Sequence, residues 1–142
     1  MPKSFTKIYV HYIWATRNRM RVLTPQIQKL LTTHVREYCS EKGIFFLEMG
    51  GFLDHCHLLV DVPPSVSVAD AVNLIKGESS HWINSVDLLP GKFAWQSRYG
   101  AFSVSASHRI RVAKYIRDQE IHHRKMTFED EIQKLIKKYG DF

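Results

Sequence analysis

The chain has 142 residues, a net charge of +6, 44% hydrophobic and 12% aromatic residues. A chain of this length is expected to fold as one domain, residues 1–142, burying roughly two-thirds of its surface, and its excess of cations favours a polyanionic partner. No stretch approaches the ~20 apolar residues of a membrane span, Met1-Pro2-Lys3-Ser4 begins no apolar run, and Cys39 and Cys56 form no CxxC pair, so a cytoplasmic protein without a membrane partner is expected.

Residues 7–16, rich in β-branched and aromatic side chains, read as a first strand. Thr24-Pro25 supplies an N-cap and a proline at the first helical position. Ile27, Leu30, Leu31, Val35 and Tyr38 then keep helical spacing, and Gly43 ends the helix. Residues 44–49 read as a second strand, Gly50-Gly51 as a turn, and residues 55–62 as a third strand stopped by Pro63-Pro64. Ser67-x-x-Asp70 has the pattern of a capping box opening a helix to about Ile83. Residues 92–104 read as a fourth strand, bent or split near Gly100. A helix over 107–124 follows. Thr127 caps a last helix whose Phe128, Ile132, Leu135, Ile136 and Tyr139 form an apolar stripe stopped by Gly140. The order βαββαβ with additional C-terminal helices predicts an α+β, ferredoxin-like antiparallel sheet with helices on one face. RNA-recognition domains share this order, so it does not choose a function, and their Lys/Arg-Gly-aromatic strand signature is not visible here.

Two segments carry chemistry. In Asp54-His55-Cys56-His57-Leu58-Leu59-Val60-Asp61, strand alternation puts His55, His57, Leu59 and Asp61 on one face and Cys56, Leu58, Val60 and Val62 on the other. The second face is apolar and belongs to the core. The first sets two imidazoles side by side, at a spacing that lets both reach one metal ion. For so short a motif, two unrelated histidines on a partly exposed strand are the alternative. In the 107–124 helix, Tyr115 and Gln119 are four apart and share a face, among Arg109, Arg111, Lys114, Arg117, Arg124 and Lys125. A tyrosine in a basic setting, one turn from a neutral oxygen ligand, can attack a phosphodiester; an amphipathic core helix with a packed tyrosine is the alternative. Arg17, Arg19 and Arg21, following strand one, are candidates to hold phosphates. His11 sits near the paired histidines if strands one and three are neighbours, or packs in the core. Trp95, Tyr99 and Phe102 are either base-stacking platforms or core.

Taken together, these motifs resemble the HUH single-tyrosine transposases, which include insertion-sequence transposases and REP-associated tyrosine transposases. The resemblance runs along nearly the whole chain, through Asp54-His55-Cys56-His57-Leu58-Leu59-Val60, Ile75-Lys76-Gly77-Glu78-Ser79-Ser80-His81-Trp82-Ile83, Phe93-Ala94-Trp95-Gln96, Tyr99-Gly100-Ala101-Phe102-Ser103-Val104-Ser105 and Tyr115-Ile116-Arg117-Asp118-Gln119, with His122-His123 following. Leu53 stands where the family often has proline. The resemblance implies the same ferredoxin-like fold. It implies Tyr115 as the nucleophile, forming a 5′-phosphotyrosine, and Mg²⁺ or Mn²⁺ held by His55, His57 and Gln119. Single-stranded DNA with hairpin structure is the implied partner. Lys114, Arg117 and Arg124 are candidate DNA-binding cations, the first two also favouring the phenolate of Tyr115, and His122 and His123 either touch DNA or a phosphate or form a solvated helix end. A homodimer with active sites shared between chains is implied as the working unit. Two other functions fit the same residues: a domesticated or non-cleaving relative that binds nucleic acid, and a small metal hydrolase that uses water.

Overall fold

The chain builds a four-stranded antiparallel sheet in the order β2-β3-β1-β4, from β1 (Tyr9–Ala15), β2 (Phe45–Phe52), β3 (His55–Asp61) and β4 (Gly100–Val104). The computed structural model describes residues 4–140; Met1, Pro2 and Lys3, part of the segment expected to begin no apolar run, lie outside the described residues. The intervening helices are α1 (Pro25–Glu41) and α2 (Val68–Ser85), and three more close the chain, α3 (Arg109–Arg117), α4 (Gln119–His122) and α5 (Phe128–Gly140). This is the expected α+β, ferredoxin-like βαββαβ arrangement with additional C-terminal helices. Among the described residues no helix is long and apolar enough to cross a membrane.

The local signals explain most of the elements. Thr24 Oγ1 accepts from the Ile27 amide at the start of α1, and Gly43 takes φ +70° just past its end, a conformation that costs little without a Cβ. Ser67 Oγ accepts from the Asp70 amide at 3.0 Å, and Thr127 Oγ1 caps α5 through the Asp130 amide at 3.2 Å. On one face of the sheet, Tyr12, Trp14, Leu58 and Val60 pack against Leu31 and Val35 of α1 and Ile75 and Ile83 of α2. Each fully buried Leu, Ile or Val contributes about 1.5–3 kcal/mol by leaving water.

The structure departs from the expectations in four places. The helices do not lie on one face alone: Leu59, on the opposite face of β3, packs against Val112 and Ile116 of α3. Gly50 and Gly51 do not turn; they lie inside β2, paired with His57 and Cys56, and the hairpin turns at Leu53-Asp54. Their value is closeness, since a Cβ on Gly50 would sit 2.2 Å from the Ile116 carbonyl oxygen. The missing side chain lets α3 lie directly on β2, beside the histidine pair. Residues 92–99 do not form a strand, apart from a single bridge between Trp95 and Thr16. Beyond the backbone bonds that flank this bridge, side chains of α2 hold the stretch: Asn84 binds both the amide and carbonyl of Phe93, Lys76 Nζ donates to the carbonyls of Gln96 and Arg98, and Ser79 Oγ accepts from Trp95 Nε1. Finally, the 107–124 helix breaks at Asp118, whose ψ of 21° is not helical. The break separates the helix of Tyr115 from the turn that carries Gln119.

Gly50→Ala is expected to destabilise the protein by about 1–3 kcal/mol, the usual cost of overpacking. A strand alanine is ordinarily favoured over glycine, but contact with a backbone oxygen leaves no flexible group to yield. The midpoint of denaturant unfolding measures this; a midpoint unchanged or raised would show that α3 is not pressed against β2.

Candidate active site

Strand alternation places His55 and His57 on the face covered by α3, α4 and α5, and both are fully buried. The outer nitrogen of each ring is committed. His55 Nδ1 donates to Asp54 Oδ1 at 2.8 Å, and His57 Nδ1 lies 2.8 Å from His11 Nε2. His11 belongs to β1, which pairs with β3, so strand adjacency resolves the open alternative by putting this histidine beside the pair. Such partners fix ring orientation and tautomer, leaving the two Nε2 atoms facing one point.

That point is filled by a residue the sequence reading did not single out. Glu131 of α5 is fully buried. Its Oε1 accepts from His57 Nε2 at 3.0 Å and from His123 Nε2 at 2.9 Å, and lies 3.2 Å from His55 Nε2. Its Oε2 accepts from Gln119 Nε2 at 2.9 Å and from the Tyr115 hydroxyl. Gln119 Oε1 is also 3.0 Å from His55 Nε2. Tyr115, Gln119, His55 and His57 therefore meet within one chain, although Tyr115 and Gln119 belong to different helices. The sharing of sites between chains expected from the sequence is not needed to bring them together.

The electrostatics follow from this contact set. Burial works to raise the Glu131 carboxyl, but hydrogen bonds from His123, His55 and His57 hold it well below the ordinary carboxylate range. Burial pushes His57 down to about 4 against the pull of Glu131, so its ring is neutral near pH 7. His55 is raised instead, because bonds to Asp54 and Glu131 outweigh its burial. Burial first, and the hydrogen bond to Glu131 second, raise the Tyr115 pKa. The hydroxyl is thus fully protonated in this arrangement and needs a change in its surroundings before it can act as a nucleophile.

The donor set fits a divalent cation. His55 Nε2, His57 Nε2 and a Glu131 oxygen all lie within 4.8 Å of one another, and the amide oxygen of Gln119 adjoins them. Two imidazoles with oxygen donors and no thiolate are unlike a closed structural zinc site, which favours thiolates. Cys56 points away, and burial lifts its thiol to about 12.

The remaining expected site residues divide by position. Arg17, Arg21, Lys114 and Arg124 are exposed. Arg19 is tied down: its guanidinium pairs with Asp54 at 3.4 Å and with Glu129 at 3.0 Å, and stacks over Phe128. Arg117 pairs with Glu48 at 3.1 Å. His123 faces inward onto Glu131 rather than outward, which turns a residue expected at the DNA surface into part of the buried cluster. The His122 ring stacks on Tyr115 at 4.6 Å. Trp95 is core, packed edge-on to Trp14.

Residues 4–119 match the family model described as transposase, IS200-like. The chain is 28% identical over 114 residues to the ISDra2 transposase TnpA of Deinococcus radiodurans, covering 77% of this chain and 81% of that protein. It is 29% identical over 70 residues to a transposase for insertion sequence element IS200 of Salmonella typhimurium, covering 49% of this chain and 46% of that protein. A crystal structure described as a candidate transposase from Deinococcus radiodurans superposes with a TM-score of 0.66 at 27% identity, covering 82% of this chain and 93% of that one. The structure of a REP-associated tyrosine transposase bound to a REP hairpin shares the fold, with a TM-score of 0.61 at 18% identity over 85% of this chain and 72% of that one.

Proposed function

Because the chain belongs to the family of IS200-like transposases, we propose that it cleaves and rejoins single-stranded DNA at hairpin-bearing ends through a 5′-phosphotyrosine on Tyr115. The observation that carries this reading is the convergence of the Tyr115 hydroxyl, both histidine Nε2 atoms and the Gln119 amide on one carboxylate. A decayed, purely binding relative has no reason to keep a nucleophile and three further donors on one carboxylate. In this reading residues 1–142 act as one domain in the cytoplasm.

Tyr115 Oη attacks the scissile phosphorus, the bond from phosphorus to the 3′-oxygen breaks, the tyrosyl proton is lost and the 3′-oxygen gains one. The new phosphotyrosine conserves the bond energy, so a 3′-hydroxyl can reverse the step without ATP. Glu131 orients the tyrosine hydroxyl and the histidines before DNA arrives. His11 and Asp54 hold the two imidazoles in register. Mg²⁺ or Mn²⁺ would be held by His55 and His57 with Gln119 and Glu131, and when bound would offset the charge that builds on the phosphate in the transition state. Arg17, Arg21, Lys114 and Arg124 form the exposed cations available to the backbone of the strand.

Incubation of the protein with labelled hairpin-bearing single strands and with a perfect duplex tests the substrate assignment. Cleavage of the first, with affinity that falls steeply as salt rises, is the expected result. Efficient cutting of the linear duplex would refute it.

A tyrosine can hold only one cleaved 5′ end, so excision and rejoining call for two protomers acting together. Each carries its own complete cluster, which makes cleavage a step within one chain. Mixing His57→Ala protein with Tyr115→Phe protein under subunit exchange should therefore restore no cleavage. Recovery would mean that α3 and α4 cross to serve the partner's histidines.

A further inference from the structure

Behind Tyr115 lies a cavity that the cluster around Glu131 does not use. It is a cleft of about 760 Å³ between β4, α3 and α5, with Tyr115 and His11 in its wall. That volume lies in the range of sites that enclose a small organic molecule. Its charge is of one sign: Arg111, Lys134 and Lys138 contribute to the lining and no carboxylate does. Among the described residues none of these three cations has a salt-bridge partner. Its other wall is apolar, from Val112 and Leu135, and includes Tyr139, whose ring stacks on Phe102 at 4.8 Å.

One more atom points to an occupant. His11 is 1% exposed, its Nε2 is used by His57, and its Nδ1 has no hydrogen-bond partner. A buried polar atom without a partner costs about 1–3 kcal/mol unless something meets it. A phosphodiester of the DNA backbone offers only acceptors at neutral pH. With His57 Nε2 donating to Glu131, His57 Nδ1 accepts from His11 Nε2, and His11 Nδ1 is left as an acceptor that calls for a donor; the edge of a nucleobase carries N–H donors that can meet it.

We propose that this cavity seats one unpaired nucleotide of the DNA strand beside the nucleophile, its base against Val112, Leu135 and Tyr139 near His11, and its phosphate on Arg111, Lys134 and Lys138. The assignment rests on the transposase reading and names the substrate contact of that same site. Flat aromatic and aliphatic walls accept any base face, while the cations act on the backbone, so the seat binds a single strand without strong sequence choice. A paired base cannot enter, which gives the site a physical reason to prefer unpaired DNA.

Methyl NMR of the intact chain, following Val112 and Leu135 during titration with dAMP, deoxyadenosine and inorganic phosphate, tests this. Saturable methyl shifts with dAMP are expected, with at least tenfold weaker binding of deoxyadenosine and of phosphate. The double variant Lys134→Gln, Lys138→Gln, whose changes lie on exposed positions, should weaken dAMP at least tenfold while its unfolding midpoint stays unchanged. Unmoved methyls with dAMP, or equal binding of dAMP and phosphate, or equal binding by the double variant, would overturn the proposal. The titration does not read cleavage, so its failure leaves the phosphotyrosine reading standing, and failure of cleavage leaves a positive titration in place.

Discussion

Tyr115→Phe is expected to abolish strand cleavage while leaving hairpin binding within a few-fold of the unchanged protein. The phenyl ring keeps the stacking on His122 and the edge contact to His57 at 5.9 Å, so the helix stays where it is. Only the attacking oxygen and its bond to Glu131 are lost. Removal of a covalent nucleophile typically costs several orders of magnitude, so a fall of at least roughly 10³-fold is expected. Gel assays of cleavage and of binding on the same labelled hairpin measure the two halves separately. Cleavage that persists at more than a few per cent would remove Tyr115 from the chemistry. Loss of binding along with cleavage would mean that the hydroxyl serves the structure instead.

The second large effect concerns the histidine pair. EDTA is expected to stop cleavage and added Mg²⁺ or Mn²⁺ to restore it. His57→Ala should lower activity by about 10²-fold or more, since even the outer partners of metal ligands are worth 10–100-fold in affinity. Removing His57 also strips the contact of Glu131 at 3.0 Å and leaves His11 Nε2 without its partner. Some loss of stability will therefore accompany the loss of activity. The separating measurement is activity against metal concentration: a ligand role predicts that excess Mn²⁺ recovers part of the His57→Ala deficit, whereas a purely structural role predicts a flat response. Full activity in EDTA would sink the metal assignment altogether.

The parts of the site that the sequence revealed are those whose geometry is local. Alternation along one strand is enough to put His55 and His57 on a common face. Four residues along a helix bring Tyr115 near Gln119, and that proximity survives even though the helix breaks at Asp118. Glu131 depended on how α5 packs, which no local period specifies. A signal was nevertheless present: residue 131 falls on the stripe of Phe128, Leu135 and Tyr139, three after the first and four before the second, and an unpaired carboxylate on a buried face must find partners. His11 was visible only as a choice between two surroundings, because strand order is a tertiary property. Gly50-Gly51 misled for a specific reason. Paired glycines signal a turn when the chain must reverse, and they serve as well where another backbone approaches within 2.2 Å of the Cβ they lack. The irregular stretch over 92–99 carried apolar residues like those of a strand, but it meets β1 only at the Trp95–Thr16 bridge, and Asn84, Lys76 and Ser79 of a helix supply further hydrogen bonds.

The most direct measurement is the site of covalent attachment. The protein is incubated with a labelled hairpin-bearing single strand and divalent metal, digested with protease and nuclease, and its peptides are examined by mass spectrometry. The account predicts a nucleotide joined through its 5′-phosphate to the peptide that contains Tyr115, and to no other tyrosine. Attachment at Tyr99 or Tyr139, or cleavage that proceeds with no covalent adduct at any residue, would contradict it.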